Sequence, residues 1–269
     1  MIKAAAFSEW LFCHRVLNIS GDGLLLEAIK NYIKTKPRVY DMLNSRRPIV
    51  DDVEVWLDNF SKQNNGQVNF IQIGASDGLR WDPFRRFIIE NKWNGVFVEP
   101  LPNVFGILVN NYAYVENQDL RFVNAAISID DSKHIDIWSY SEDFCNSLSL
   151  EEKLCYLRKS SLDKTHVESS LSGLDNIDSI VKCYRVKCIS INSLVKEYTD
   201  DNQVDLILID AEGYDDKIVE TIDFELIQPK AILFESHNLG ERKKEIRSFL
   251  EAKGYVVTDI GGDTVAQRV

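Results

Sequence analysis

Long hydrophobic runs are missing from this 269-residue chain. No apolar stretch approaches the roughly 20 residues that a membrane-spanning helix needs. The first 20 residues interleave Lys3, Glu9, His14 and Arg15 with apolar positions, unlike a secretory leader. Positive charge is also scarce: 31 Lys+Arg stand against 42 Asp+Glu, a formal net charge of −11. Such a chain repels phosphate backbones and anionic lipid. No nucleic-acid partner and no membrane span are expected, and the protein reads as cytoplasmic. The five cysteines (Cys13, Cys145, Cys155, Cys183 and Cys188) are odd in number and lack CxxC spacing, and the four histidines form no HExxH. Neither a disulfide framework nor a common zinc motif is therefore indicated. What remains, 45% hydrophobic and 27% charged residues, is enough to build a large core.

Residues 1–66 read as an N-terminal helical cap. Leu25, Ala28, Ile29 and Tyr32 share one helix face, and Val53, Trp56, Leu57 and Phe60 share another. Thr35–Pro48 reads as a loop between them, and Asn64-Asn65-Gly66 as a closing turn. From residue 67 onward short β-rich runs alternate with helical patterns, the signature of an α/β fold with a parallel sheet. Strands are predicted at Val68–Ile73, Gly95–Glu99, Leu120–Ala125, Val204–Ile209 and Ala231–Phe234, with a closing hairpin of Tyr255–Ile260 and Thr264–Arg268. Between the third and fourth strands, His134–Tyr140 and Tyr184–Ser190 alternate like strands around a polar insertion, residues 141–182. A mobile substrate lid and a solvated loop both fit its composition, which offers little core of its own.

Chemistry concentrates at the ends of the predicted strands. The first runs into Gly74-Ala75-Ser76-Asp77-Gly78, at the edge where open α/β sheets bind ligands. A dinucleotide fingerprint would need glycine where Ser76 and Leu79 stand, and Asp77 suits a ligand with a positive centre better than a diphosphate. Glu99 closes the second strand, where a carboxylate accepts hydrogen bonds from both hydroxyls of a ribose; a solvated strand end is the other reading. The fourth strand ends in Asp210-Ala211-Glu212-Gly213-Tyr214-Asp215 and the fifth in Glu235-Ser236-His237-Asn238. Two carboxylates and an imidazole are thus expected beside the same cleft.

Taken together, the segments IQIGASDG, GVFVEPLPNVFGIL, FVNAAIS, VDLILIDAEGYD and AILFESHNL resemble the FkbM family of S-adenosylmethionine-dependent methyltransferases over about residues 68–258. The resemblance implies a class I methyltransferase fold: a Rossmann-like, mostly parallel seven-stranded sheet with helices on both faces. It also implies O-methylation of a small-molecule or glycan acceptor. Carried over residue by residue, Gly74, Ala75, Ser76, Asp77 and Gly78 would wrap the methionine part of the cofactor. Glu99 would hold the ribose, Pro100 and Leu101 would border the adenosine, and Asn124, Ala125 and Ala126 would line the adenine side. Asp210 and Glu212 would lie by the reacting methyl group. Gln72 and Ser76 depart from the Asp and Asn of many members. His237 and Asp210 are the candidate bases for the acceptor hydroxyl. Two alternatives stay open: Mg²⁺ held by Asp210 with Glu235 or Asn238, and a binding module that methylates nothing.

Overall fold

The computed structural model describes residues 32–268 except 117, 131 and 238. Leu25, Ala28 and Ile29 of the first expected helix lie outside the described residues. Among the described residues, helices α1 (Pro37–Asn44) and α2 (Asp52–Gln63) precede the main sheet. Helix α1 lies inside the segment read as a loop. Pro37 occupies its first turn, where the missing N–H has no intrahelical partner to lose, so the residue that suggested a loop starts a helix instead. Asp51 caps α2 by accepting from the Val53 and Glu54 amides at 2.9 and 3.3 Å.

The main sheet takes its strands from most of the chain: β1 (Asn69–Ile73), β2 (Asn94–Val98), β3 (Leu120–Val123), β7 (Leu206–Ile209), β8 (Ala231–Glu235), β9 (Val256–Ile260) and β10 (Asp263–Gln267). Helices α3 (Arg85–Asn91) and α4 (Pro102–Tyr112) connect the first three strands. The order is β3-β2-β1-β7-β8-β10-β9, with β10 antiparallel to both neighbours. This is the mostly parallel seven-stranded class I methyltransferase sheet that the resemblance implies.

Alternation along the buried strands sorts side chains between two cores. Phe70, Phe97, Leu208 and Leu233 pack with Leu57 and Phe60 of α2 and with Phe87 and Leu108. Ile71, Val98, Ile207, Ile209 and Ile232 pack on the other face against helices α9 (Ile191–Tyr198), α10 (Asp215–Glu220) and α11 (Arg242–Ala252). Arg85, fully buried, pairs with Asp41 of α1 at 2.8 Å and donates to the carbonyls of Gly78 and Asn111, tying α1 to the turn after β1.

The remaining strands, β4 (Ala126–Ser128), β5 (His134–Tyr140) and β6 (Val181–Ser190), form a second sheet ordered β4-β6-β5. Four short helices bridge β5 and β6: α5 (Glu142–Asn146), α6 (Leu150–Leu157), α7 (Lys164–Ser169) and α8 (Ile177–Ile180). The expectation that this polar segment has little core is not met. Cys145, Leu157, Val167, Leu171 and Val181 pack with Leu101, Val104 and Ala126 into a third core. Its polarity has a local cause, because short helices have many ends to cap. Ser141 caps α5, Ser149 and Glu152 form a reciprocal capping box on α6, and Asp163 caps α7.

Register lines up the strand tips. Ile73 pairs with Val98 on one side and Ile209 on the other, Val98 pairs with Val123, and Ile209 pairs with Phe234. Gly74, Glu99, Asn124 and Asp210 therefore leave the sheet along one row, beside Glu235, the last residue of β8. The chain turns outward in opposite directions from β1 and β7, which opens a crevice at this edge.

Candidate active site

A cavity of about 300 Å³ occupies that crevice, walled by the tips of β1, β2, β7 and β8 and roofed by residues 157–162. Gly74 is required at its floor. With φ +74, its Cα lies so near β7 that an added Cβ would stand 1.8 Å from the Asp210 carbonyl oxygen. Ser76 (φ +48), Trp81 (φ +56) and Glu212 (φ +48) are non-glycine residues in the left-handed region, and all three line the cavity. The other non-glycine residues with positive φ among the described residues are Asn, Asp or Lys. Strain of this kind costs on the order of 1–3 kcal/mol per residue and concentrates at functional sites.

Of the residues expected to wrap the cofactor, Gly74, Ala75, Ser76, Glu99, Pro100, Leu101, Ala125 and Ala126 line the cavity. Glu99 is held rigidly: its two carboxylate oxygens accept from the Ser76 amide at 3.0 Å and the Leu101 amide at 2.9 Å. Burial pushes its pKa up to about 7 against the lowering effect of those amides, with Asp210 and Asp77 adding to the rise. Asp77, Gly78 and Asn124 stand behind the wall. Asp77 turns inward, accepts from the Leu79 and Arg80 amides and pairs with the Arg80 guanidinium. Gly78 lies against Leu108 and Tyr112, so a side chain there would collide with both. The Asn124 amide donates to the Glu99 and Pro100 carbonyls at 2.8 and 3.1 Å, bracing the β2 tip.

The opposite wall is acidic. Asp210, Glu212, Glu235 and Asp263 all line the cavity. Desolvation raises the pKa of Asp210 to about 6, with Glu235 adding and Arg158 and His237 opposing. Burial and then Asp210 push Glu212 up to about 8, burial and Asp210 take Asp263 to about 6, and burial also raises Glu235. Beneath them, fully buried Asp215 accepts from the Ala211 and Gly213 amides, both at 3.2 Å, and fixes the turn that presents Glu212. His237 lies outside the cavity lining. Its side chain is 52% exposed, with Nδ1 3.4 Å from Glu235 Oε1.

Other residues in and around the cavity take part beyond those expected to bind the cofactor or act on the acceptor. His166 of α7, distant in sequence, holds Glu212 through an Nε2–Oε2 contact of 2.9 Å, and the Ser161 hydroxyl donates to the Glu212 carbonyl at 2.8 Å. Gln72 keeps its buried Oε1 without a hydrogen-bond partner, while its Nε2 approaches Asp82 at 3.5 Å. Burial raises Asp82 to about 6. Trp81 and Arg158 stand at the rim. Asp82 accepts from the Phe84 and Arg85 amides at 2.8 and 3.3 Å, just ahead of α3, and lines the cavity beside Pro83. Among the described residues no three His, Cys, Asp or Glu side chains gather as a metal site, and Asn238 of the Mg²⁺ alternative lies outside them.

The site admits a ligand with positive charge at the β7–β8 side and paired hydroxyls at the β2 side. Comparison with known proteins places this geometry in context. The precorrin-6y C5,15-methyltransferase of Geobacter metallireducens GS-15 shares 13% identity over 80% of this chain and 88% of its own, with a TM-score of 0.39. The SAH-bound Podospora anserina methyltransferase PaMTH1 shares 11% over 93% and 98%, with a TM-score of 0.42. Aeropyrum pernix fibrillarin in complex with natively bound S-adenosyl-L-methionine shares 10% over 74% and 66%, with a TM-score of 0.38. No curated protein matches the sequence. The methyltransferase FkbM domain matches residues 72–257, well over half of the sequence, and the chain therefore belongs to the FkbM methyltransferase family.

Proposed function

We propose that this chain transfers a methyl group from S-adenosylmethionine to a hydroxyl oxygen of a sugar or glycan. The observation that carries the reading is the meeting, around one cavity, of the Gly74 turn, the amide-held Glu99 and the acidic wall of Asp210, Glu212, Glu235 and Asp263. These residues fit the cofactor. Its ribose offers two hydroxyls to Glu99, its ammonium and sulfonium charges suit the acidic wall and the unpartnered Gln72 oxygen, and Leu101, Val104, Ala125 and Ala126 offer an apolar seat for adenine.

When bound, the cofactor supplies an electrophilic methyl group on a sulfonium. The protein's share is to hold the acceptor oxygen in line with that methyl and to take the hydroxyl proton as the new bond forms. Glu212 suits the second task. With its pKa raised to about 8 it is a stronger base than an ordinary carboxylate, and His166 and Ser161 fix its position. Asp210 stands beside it at the β7 tip. A need for a proton acceptor favours an alcohol oxygen, whose own pKa is far above neutrality, and the net charge of −11 argues against a nucleic-acid acceptor. Incubation with labelled S-adenosylmethionine and a panel of sugars, nucleotide-sugars and oligosaccharides should give a labelled ether. Glu212→Gln should lower that turnover at least about a hundredfold while leaving S-adenosylhomocysteine affinity within about threefold. Cofactor binding with no methylation of any acceptor would instead favour a non-catalytic module.

A further inference from the structure

We propose that the acceptor carries an oxyanion, a carboxylate or a phosphate group, which Arg158 binds at the rim of the cavity. The inference rests on the methyltransferase reading and adds the charge of the molecule that is methylated.

Arg158 and Arg80 are the two cationic residues in the cavity lining, and they differ in how they are used. Arg80 is buried and committed: its guanidinium pairs with Asp77 and donates to the Lys34 carbonyl at 3.3 Å. Arg158, which ends α6, is exposed to the cavity and stands 5.4 Å from the centroid of the Trp81 ring. Among the described residues its guanidinium makes no hydrogen bond and no ion pair, although it shares the cavity with four carboxylates. A guanidinium has five N–H donors in its plane, and one that makes no other hydrogen bond is able to meet a carboxylate or phosphate in two parallel hydrogen bonds.

Trp81 makes the arrangement deliberate. It is 48% exposed, and it holds a left-handed backbone that a residue of its size rarely adopts. The turn that carries it is fixed by the hydrogen bonds that the Leu79 and Arg80 amides donate to Asp77. Lys34 adds a second cation 5.9 Å from the same ring, although Lys34 is itself paired with Glu151.

The position favours the acceptor over the cofactor. The field of Arg158 lowers the pKa values of Asp210, Glu212 and Glu235, at the tips of β7 and β8 where the hydroxyl proton is to be removed. A neutral sugar would have no use for an uncommitted guanidinium there. An anionic one entering an acidic cavity needs such a partner to offset repulsion from the four carboxylates.

The test uses the full chain saturated with S-adenosylhomocysteine, titrated by calorimetry with glucuronic acid, glucose 6-phosphate and glucose. The wild type should bind at least one charged sugar tenfold or more tightly than glucose, and the two charged arms separate carboxylate from phosphate. Arg158→Gln should bring that preference close to one, with S-adenosylhomocysteine affinity unchanged within twofold. Equal binding of all three sugars, no binding of any, or a preference that survives Arg158→Gln would overturn the proposal. So would a loss of S-adenosylhomocysteine affinity in the variant, which would assign Arg158 to the cofactor's own carboxylate. Failure of the wild type to bind S-adenosylhomocysteine would instead remove the methyltransferase reading on which the proposal stands.

Discussion

Gly74→Ala probes the closest backbone approach in the site. Gly74 has φ +74, and an alanine Cβ there would sit 1.8 Å from the Asp210 carbonyl oxygen and 2.9 Å from its carbon. The obstacle is backbone, so no rotamer change relieves it. The tips of β1 and β7 would have to part by more than about 1 Å in a close-packed interior. That movement strains two hydrogen bonds, Asp210 N to Ile73 O and Gly74 N to Val98 O, both 3.0 Å. Left-handed backbone costs an alanine about 1–2 kcal/mol. The two weakened bonds add about 1 kcal/mol each, for a total on the order of 3–4 kcal/mol.

For a chain of this size about 2–4 °C of Tm is lost per kcal/mol, so thermal unfolding followed by circular dichroism should show Gly74→Ala melting roughly 6–15 °C below wild type. Gly213→Ala is the matched control. Its φ is +91 but nothing lies within 4 Å of the added Cβ, so only the conformational cost of about 1–2 kcal/mol applies. The difference between the two variants isolates the contact with Asp210. If Gly74→Ala melts within about 2 °C of Gly213→Ala, the strand tips are not as close as described and the reasoning fails.

Glu99→Ala removes a carboxylate that is already aimed by two amides, and calorimetry should show S-adenosylhomocysteine affinity falling roughly ten- to a hundredfold; unchanged affinity would take Glu99 out of the site. The ligand-free protein should become less stable as pH rises between about 4 and 8. Glu99 (about 7), Asp210 (about 6), Glu212 (about 8) and Asp215 (about 8) keep their protons when folded and lose them when unfolded across that window, so a Tm higher at pH 8 than at pH 6 would contradict the assigned burial. Binding of S-adenosylmethionine near pH 7 should release protons, and S-adenosylhomocysteine, which lacks the sulfonium charge, should release fewer; calorimetry in buffers of different ionisation enthalpy measures both, and equal release would separate the acidic wall from the sulfonium.

What the sequence made legible was whatever depends on local pattern. The strand run Val204–Ile209, and the small-residue turn at Gly74, were readable because parallel strands buried on both faces are nearly continuously apolar and end abruptly. Register then placed Glu99 and Asp210 in one row. Helix α1 was hidden by Pro37, which signals a break and a helix start equally well. Asp77 was legible as a carboxylate at the right turn, but not as one folded inward onto Arg80. His166 and Arg158 could not be found, because one meets Glu212 and the other reaches the cavity only when the segment between β5 and β6 folds. Nothing in the spacing of His166 and Glu212, 46 positions apart, announces a contact.

The electrostatics of the cavity connect binding to chemistry. Four carboxylates around one cavity repel one another, and burial raises the pKa of all four, taking Glu212 past neutrality. In that state Glu212, at about 8, is largely protonated and cannot accept another proton. On the proposed reaction, a cationic cofactor entering beside it would favour the ionised form, so the charge that makes the methyl group transferable would also prepare the base that the transfer requires. Transfer would remove that positive charge, the carboxylates would regain their preference for protons, and a proton taken from the proposed acceptor hydroxyl would have a stable place to rest. A wall of neutral hydrogen-bonding residues would bind the same ligand without this coupling, which gives a physical reason for concentrating carboxylates at the tips of β7 and β8 despite their mutual repulsion.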